Sequence, residues 1–294
     1  MSIKLGLLAS SQQQGGTFIP PLDLYPGAAA AYSLRKLRTA YTGAAIRVLR
    51  TSDNAQLNIG FVNNILDLTT LANFIGASSG TINTWFDQSG NGRDIVQSTI
   101  AYQPIIVNSG SIYTTNGKPS IFLLNANLYC KLDFPTAFLN GATNLSMQMV
   151  INIDNGNIDN IGLFGPSTTF GVGVEILSLS NFGNRTALRF NGTLRNANSS
   201  PAYQLWDDNS QSLTEIYGNT SSTSAFKNNA AVTLTNSSAM PTLNFNGVYD
   251  LGSYGGNLGA KNNGYIQEFI IYTSNELSNR NGISSNINSY YTIY

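Results

Sequence analysis

The feature that most limits what this chain can become is the spacing of its turn signals. After Trp85 the sequence breaks into short apolar runs, QPIIV, PSIFLL, LSMQMVINI, GVGVEILSLS, TALRFNG, AVTLT, TLNFNG and GYIQEFIIYT, separated by Asn-Gly, Ser-Gly and Gly-Lys-Pro punctuation. Turns about every ten residues, with apolar and polar side chains alternating between them, leave no room for long helices and fit a sandwich or jelly roll. AIRVLR and NIGFV, on either side of the turn SDNA, carry the pattern toward the N-terminus. The expected fold class is all-β.

Three short segments read as helix. In AAAAYSLRKLRTAY, Ala31, Leu34, Leu37 and Tyr41 recur at helical spacing with Arg35, Lys36 and Arg38 off that face, which predicts an amphipathic helix ending before Gly43. LDLTTLANFIG predicts a second, with Asp67 as N-cap. Leu277, Arg280, Ile283, Ile287 and Tyr290 mark a closing helix, with Ser274 as its cap. Residues 1–27, with SSQQQGG and the three prolines of FIPPLDLYPG, read as an extended N-terminal arm. With no internal repeat and no later linker, residues 28–294 form one domain.

Charged residues make up only 10% of the chain against 42% hydrophobic, so Asn, Ser, Thr, Gly and Gln must supply the polar surface. The formal net charge is zero, but Lys4, Arg35, Lys36, Arg38, Arg47 and Arg50 face Asp23 alone in the first 50 residues. A solvated helix face accounts for this cluster, and no nucleic-acid role is assigned. One cysteine, Cys130, excludes an intrachain disulfide, and the absence of histidine excludes Ser-His-Asp, Cys-His and His-metal sites. The apolar run in MSIKLGLLAS is shorter than a signal-peptide core, and no stretch approaches the ~20 apolar residues of a membrane span. A soluble chain without a classical export signal or membrane insertion is expected.

TWFDQSGNGRD, residues 84–94, crowds carboxylates, amides and glycines together. Asp87 and Asn91 suit an Asx-type turn with Gly90 and Gly92 at positive φ, and this is the main reading. Asp87, Asn91 and Asp94 also offer oxygens that Ca²⁺ accepts, although the spacing is not that of an EF-hand. Trp85, Trp206, Tyr203, Tyr249 and Tyr254 offer rings for sugar stacking, with Asp207 and Asn257 as hydrogen-bonding neighbours. Core packing is the competing account of each ring. The glycine-rich YDLGSYGGNLGAKNNG, residues 249–264, is the favoured ligand loop. Of the few acidic residues, Glu175 falls on an alternating strand with either face open to it, Glu268 reads as a polar strand edge, and Asp207–Asp208 point to opposite sides of an extended chain.

The series AAYSLRKLRTAYTGAAIRVLRTSDNAQLNIGF, TWFDQSGNGRDIVQ, QPIIVNSG and NGKPSIFL, roughly residues 28–124, resembles the N-terminal half of the catalytic domain of α-L-arabinofuranosidase B enzymes. That resemblance implies a concanavalin A-like β-sandwich, whose active site uses a glutamate nucleophile, an aspartate acid and a vicinal disulfide beneath the sugar. The sequence shows no matching glutamate motif, and one cysteine cannot form the disulfide, so no catalytic residue is carried over. GYIQEFIIYTSNELSNRNGISSNINSYY is similar to the last strand and helix of laminin G-like and concanavalin A-like lectin domains. The whole chain resembles tailed-phage virion proteins of head or tail fibres. This implies a non-enzymatic homo-oligomer on the particle surface, joined to other virion proteins through the arm and holding host carbohydrate. The alternatives are an arabinofuranosidase-like hydrolase, in which Asp207, Asp208 or Glu175 would matter, and a purely architectural decoration protein.

Overall fold

A computed structural model describes residues 18–125, 128–153, 161–179, 185–196, 204–253 and 264–294. In chain order the principal strands begin with β1 (Ala30–Ser33), β2 (Ile46–Arg50), β3 (Gln56–Ile59), β4 (Gly80–Trp85), β5 (Ile95–Val96), β6 (Ile105–Asn108) and β7 (Ile121–Phe122). The middle of the chain supplies β8 (Leu132–Asp133), β9 (Leu145–Ile153), β10 (Ile161–Pro166), β11 (Val174–Leu179), β12 (Arg185–Phe190) and β13 (Thr193–Asn196). The last third adds β14 (Gln211–Gly218), β15 (Thr223–Lys227), β16 (Ala230–Val232), β17 (Tyr249–Leu251) and β18 (Gly264–Tyr272). Helices are few: α1 (Pro21–Leu24), α2 (Leu68–Ile75) and α3 (Arg280–Tyr291).

The pairings resolve into two antiparallel layers. The back layer runs β16-β15-β14-β9-β18, with β1 and β7 sharing the far edge of β18. The front layer runs β13-β12-β11-β10-β17-β8-β5-β4-β2-β3. Strand β6 pairs with both β4 and β7, so one hydrogen-bonded network turns the corner between the layers. The all-β sandwich expected from the turn spacing is what forms.

The central strands β9 and β18 of the back layer are buried on both faces, which is why they read as almost unbroken apolar runs. On β9, Met147, Met149 and Ile151 face the core between the layers, and Val150 faces outward. There it meets Leu213, Ile270, Tyr272 and the α3 residues Ile283, Ile287 and Tyr291. The outer face of the front layer carries polar groups beside a small apolar cluster of Leu177, Ala187 and Leu194. This asymmetry positions the site described below.

The helix expected from Ala31 to Tyr41 does not form. Ala30 and Tyr32 point into the central core while Ala31 and Leu37 pack in the outer cluster beneath α3, so the apolar spacing comes from a strand buried on both sides. Nor is Arg35 on a solvated face: it is fully buried and paired with Glu268, itself buried in the back layer rather than at a polar edge. Arg35 Nε and Nη2 donate to the two Glu268 carboxylate oxygens at 2.7 and 2.8 Å, and Nη1 donates to Asn286 Oδ1 at 3.1 Å. Ser33 Oγ donates to Glu268 at 2.8 Å, and the Tyr290 ring lies 5.0 Å from the guanidinium.

Helix α2 forms as expected, its first turn held by Asp67, which accepts from Thr70 N at 3.0 Å. The closing helix also forms, but Ser274 does not cap it; its hydroxyl donates to Glu276 instead. Residues 1–17 of the expected arm lie outside the described residues. The part that is described docks on the body, with Leu22 buried, Leu22 N donating to Leu37 O at 3.0 Å and Tyr272 Oη donating to Tyr25 O at 2.8 Å.

Candidate functional site

On a pleated strand alternate side chains face opposite sides, so residues in register on neighbouring strands of the front layer form a row across its outer face. Tyr249 and Leu251 of β17 enter the core, which turns Asp250 outward, and Val174 and Ile176 of β11 do the same for Glu175. Asp250 pairs with Gly165 of β10 on one side and with Asp133 of β8 on the other. Gly165 follows the Phe164–Ile176 pair, so it also stands beside Glu175, and Glu175 in turn pairs with Arg189 of β12. The row therefore reads Arg189, Glu175, Gly165, Asp250, Asp133. Two carboxyl-bearing residues flank a residue with no side chain, their Cα atoms two strand spacings apart, about 9–10 Å.

Each carboxyl group has its own surroundings. Glu175 Oε1 accepts from Gly171 N at 2.8 Å, while Oε2 faces Arg189 Nη1 at 3.6 Å and has no hydrogen-bond partner among the described residues. Burial raises the Glu175 pKa, and the Gly171 N–H and the Arg189 guanidinium pull against that rise. Asp250 Oδ2 accepts from Lys131 Nζ at 3.1 Å and Ser253 Oγ at 2.8 Å. Burial, followed by the neighbouring Asp133 carboxyl, pushes Asp250 up to about 7, so it carries a proton in mildly acidic water. Lys131 also lies 2.8 Å from Asp133 Oδ1.

Two glycines hold this arrangement. Gly173 has φ +57°, and a Cβ there would overlap the Tyr249 hydroxyl, which accepts from Val174 N at 3.3 Å. Gly252 has φ +96°, and a Cβ there would overlap the Cys130 carbonyl, so the end of β17 lies close beside the chain that leads into β8. The Cys130 thiol is buried, its pKa pushed up to about 12 by that burial, and it donates to Gln103 O.

Glu175 and Asp250 have side-chain exposures of 0% and 1%, so both carboxyl groups are covered. Among the described residues, the Arg189 guanidinium stands beside Glu175, and the ring of Phe170, an exposed aromatic, lies 4.4 Å from it.

The described residues among those expected to bind sugar are placed elsewhere. Trp85 and Trp206 are core residues, and the Tyr249 ring is stacked 5.0 Å from Phe164 inside the sandwich, so none offers an open face. Asp207 pairs with Lys227 of β15 at 2.6 Å and belongs to the back layer. Tyr203, Tyr254 and Asn257 lie outside the described residues, as does most of the favoured loop at 249–264; of that loop, Tyr249–Leu251 form β17. Asp250 carries no local signal in the sequence, since it lies between Tyr249 and Leu251 in a segment that reads as a loop.

The TWFDQSGNGRD turn satisfies itself. Asp87 accepts from Ala31 N and Ser89 N through Oδ1, and from Ser89 Oγ and Arg93 N through Oδ2. Asp94 Oδ1 accepts from Asp87 N at 2.8 Å, and the Asn91 amide donates to Ala28 O and Ala29 O. Protein donors thus engage both Asp87 oxygens and Asp94 Oδ1, and among the described residues no group of three or more acidic or cysteine side chains is arranged to hold a metal. The turn ties β1 to the front layer. Beside it a cleft of about 620 Å³ opens between Asp23, Gly27, Arg38, Asn91 and Arg93.

A family model described as the catalytic region of α-L-arabinofuranosidase B matches residues 21–117. That match ends before the first residue of the carboxylate row. No curated protein matches the chain. Among solved structures, the chain is similar to a GH54 α-L-arabinofuranosidase soaked with a cyclic sulfate inhibitor, at 17% identity and a TM-score of 0.66. A glutamate-to-glutamine mutant of GH54 α-L-arabinofuranosidase soaked with 4-nitrophenyl α-L-arabinofuranoside gives 18% and 0.69. An arabinofuranosidase complexed with arabinofuranosyl-α-1,2-xylobiose gives 18% and 0.64. Each comparison covers 94% of this chain but 66% of the other, so the chain spans just under two thirds of their length. At these identities the likeness carries the fold. The expectation of a non-enzymatic virion fibre or decoration protein is overturned: the family match and these neighbours favour the glycoside-hydrolase alternative.

Proposed function

We propose that this protein is a glycoside hydrolase acting on arabinofuranosyl-type linkages, with Glu175 and Asp250 as its carboxyl pair. The observation that carries this reading is the row Glu175, Gly165, Asp250 on the outer face of the front layer, in a fold shared with arabinofuranosidases. Glycosidic cleavage needs one carboxyl group that gives a proton to the leaving oxygen and a second on the far side of the sugar. Asp250, protonated up to about pH 7, fits the first role. Glu175, whose Oε2 has no hydrogen bond among the described residues and lies 3.6 Å from the Arg189 guanidinium, fits the second, as nucleophile or as base for water. Gly165 puts no side chain between them.

This site differs from the one the family resemblance implies. No vicinal disulfide can floor it, since the chain has one cysteine and that thiol points to Gln103 O.

The test is release of 4-nitrophenol from 4-nitrophenyl α-L-arabinofuranoside and a panel of related furanosides and pyranosides. Glu175→Gln and Asp250→Asn, each checked for native circular dichroism, are expected to lower kcat by about 10²–10⁴. The reading is wrong if wild-type protein releases nothing from the whole panel, or if both variants keep wild-type rates.

A further inference from the structure

Lys131 and Asp133 play no direct part in that chemistry, yet both face Asp250. We infer that they form a positioning pair that sets the protonation state of Asp250, with Asp133 engaging the Lys131 ammonium so that Asp250 keeps its proton. This deepens the proposed hydrolase reading and rests on it for its meaning in catalysis.

The argument is geometric. Asp133 and Asp250 are directly opposed across β8 and β17. Lys131 Nζ sits between them, 2.8 Å from Asp133 Oδ1 and 3.1 Å from Asp250 Oδ2. One cation is thus shared by two carboxyl groups, which together would carry two negative charges if both ionised. Asp133 is the more exposed, at 39% against 1% for Asp250, so burial opposes ionisation more strongly at Asp250. Asp250 is left as the neutral partner, its Oδ2 taking hydrogen bonds from Lys131 and Ser253.

Little else among the described residues competes for this role. On the other side of Asp250, β10 contributes Gly165, and the next charges are Glu175 and then Arg189, which pair with each other. Beyond Asp133, β5 contributes Val96. Gln97 Nε2 and Tyr102 O engage the Lys131 backbone rather than its ammonium. The Cys130 thiol is turned away toward Gln103.

The two partners must therefore act in opposite directions. Asp133→Asn leaves Lys131 to Asp250 alone, which favours the ionised form and lowers the Asp250 midpoint by about one pH unit or more. Lys131→Met removes the cation and raises the midpoint. Asp133→Glu restores the charge and brings the midpoint back toward wild type. The experiment is a ¹³C NMR titration of aspartate-labelled protein, with the Asp250 carboxyl resonance assigned through Asp250→Asn. It is run beside the pH dependence of 4-nitrophenyl α-L-arabinofuranoside hydrolysis. Opposite shifts in the two variants with rescue by glutamate support the pairing, and a midpoint common to all forms overturns it. Because the titration needs no turnover, midpoints that move while no variant or wild type hydrolyses any glycoside uphold the pairing and remove the hydrolase reading.

Discussion

Replacing Arg35 by Met tests whether the buried ion pair holds the start of the domain to its last strand and helix. Both side chains of the Arg35–Glu268 pair have zero exposure, and the guanidinium makes two short bonds to one carboxylate. Methionine fills much of the volume but leaves Glu268 buried with only hydroxyl partners, Ser33 and Tyr291. Removing one partner of such a pair costs about 3–5 kcal/mol, because the remaining charge stays out of water uncompensated. At roughly 2–4 °C per kcal/mol for a large domain, Tm should fall by roughly 6–20 °C. Urea unfolding followed by the fluorescence of Trp85 and Trp206, both core residues, reads this directly. Replacing Glu268 by Leu in the Arg35→Met background should recover most of the loss, since an apolar pair of similar volume meets no desolvation penalty. A single variant within about 1 kcal/mol of wild type, or a double variant that unfolds more easily than the single, would refute this account.

Two further outcomes follow from the front layer. Asp250 has a folded-state pKa near 7, raised above the ordinary aspartate value of 3.8. Its neutral form stabilises the fold at low pH, and that contribution is lost as pH rises from about 4 to 7. Asp250→Asn should therefore flatten the decline in stability over that window, measured as the difference in unfolding free energy between variant and wild type at each pH; equal slopes would contradict it. Gly173→Ala should cost at least about 2 kcal/mol, because it combines a strained φ with overlap on the Tyr249 hydroxyl. Gly92→Ala, at φ +68° with nothing within 4 Å of the added carbon, serves as the strain-only control in thermal melts.

The sandwich was legible in the sequence because turn spacing and alternation are local signals. Helix α2 and its Asp67 cap were legible for the same reason. The segment from Ala31 to Tyr41 misled because apolar residues buried on both faces of one strand and its continuation mimic a helical stripe. The candidate site was hardly visible, since its members come from five strands between Asp133 and Asp250 and only cross-strand register brings them together. Glu175 could be noticed as an acid on an alternating strand, but its facing had to come from the fold. Tyr249 and Trp206 looked like platforms because an aromatic beside an aspartate reads the same in a core as on a surface. The sheet pleat separates the two cases by sending Tyr249 inward and Asp250 outward.

The row across the front layer also determines how this protein can vary over evolutionary time. Each strand contributes one residue to it, so a point change at 133, 165, 175, 189 or 250 alters a single position and leaves the backbone pairing intact. An insertion or deletion of one residue inside β8, β10, β11, β12 or β17 has a different effect, because it swaps the two faces of that strand. In β17 such a slip would drive the Asp250 carboxyl into the space that Tyr249 and Leu251 fill and would move those two onto the outer face among its charged groups. Descendants of this chain are thus free to exchange the chemistry of the row residue by residue, while length changes are confined to the loops that join the strands.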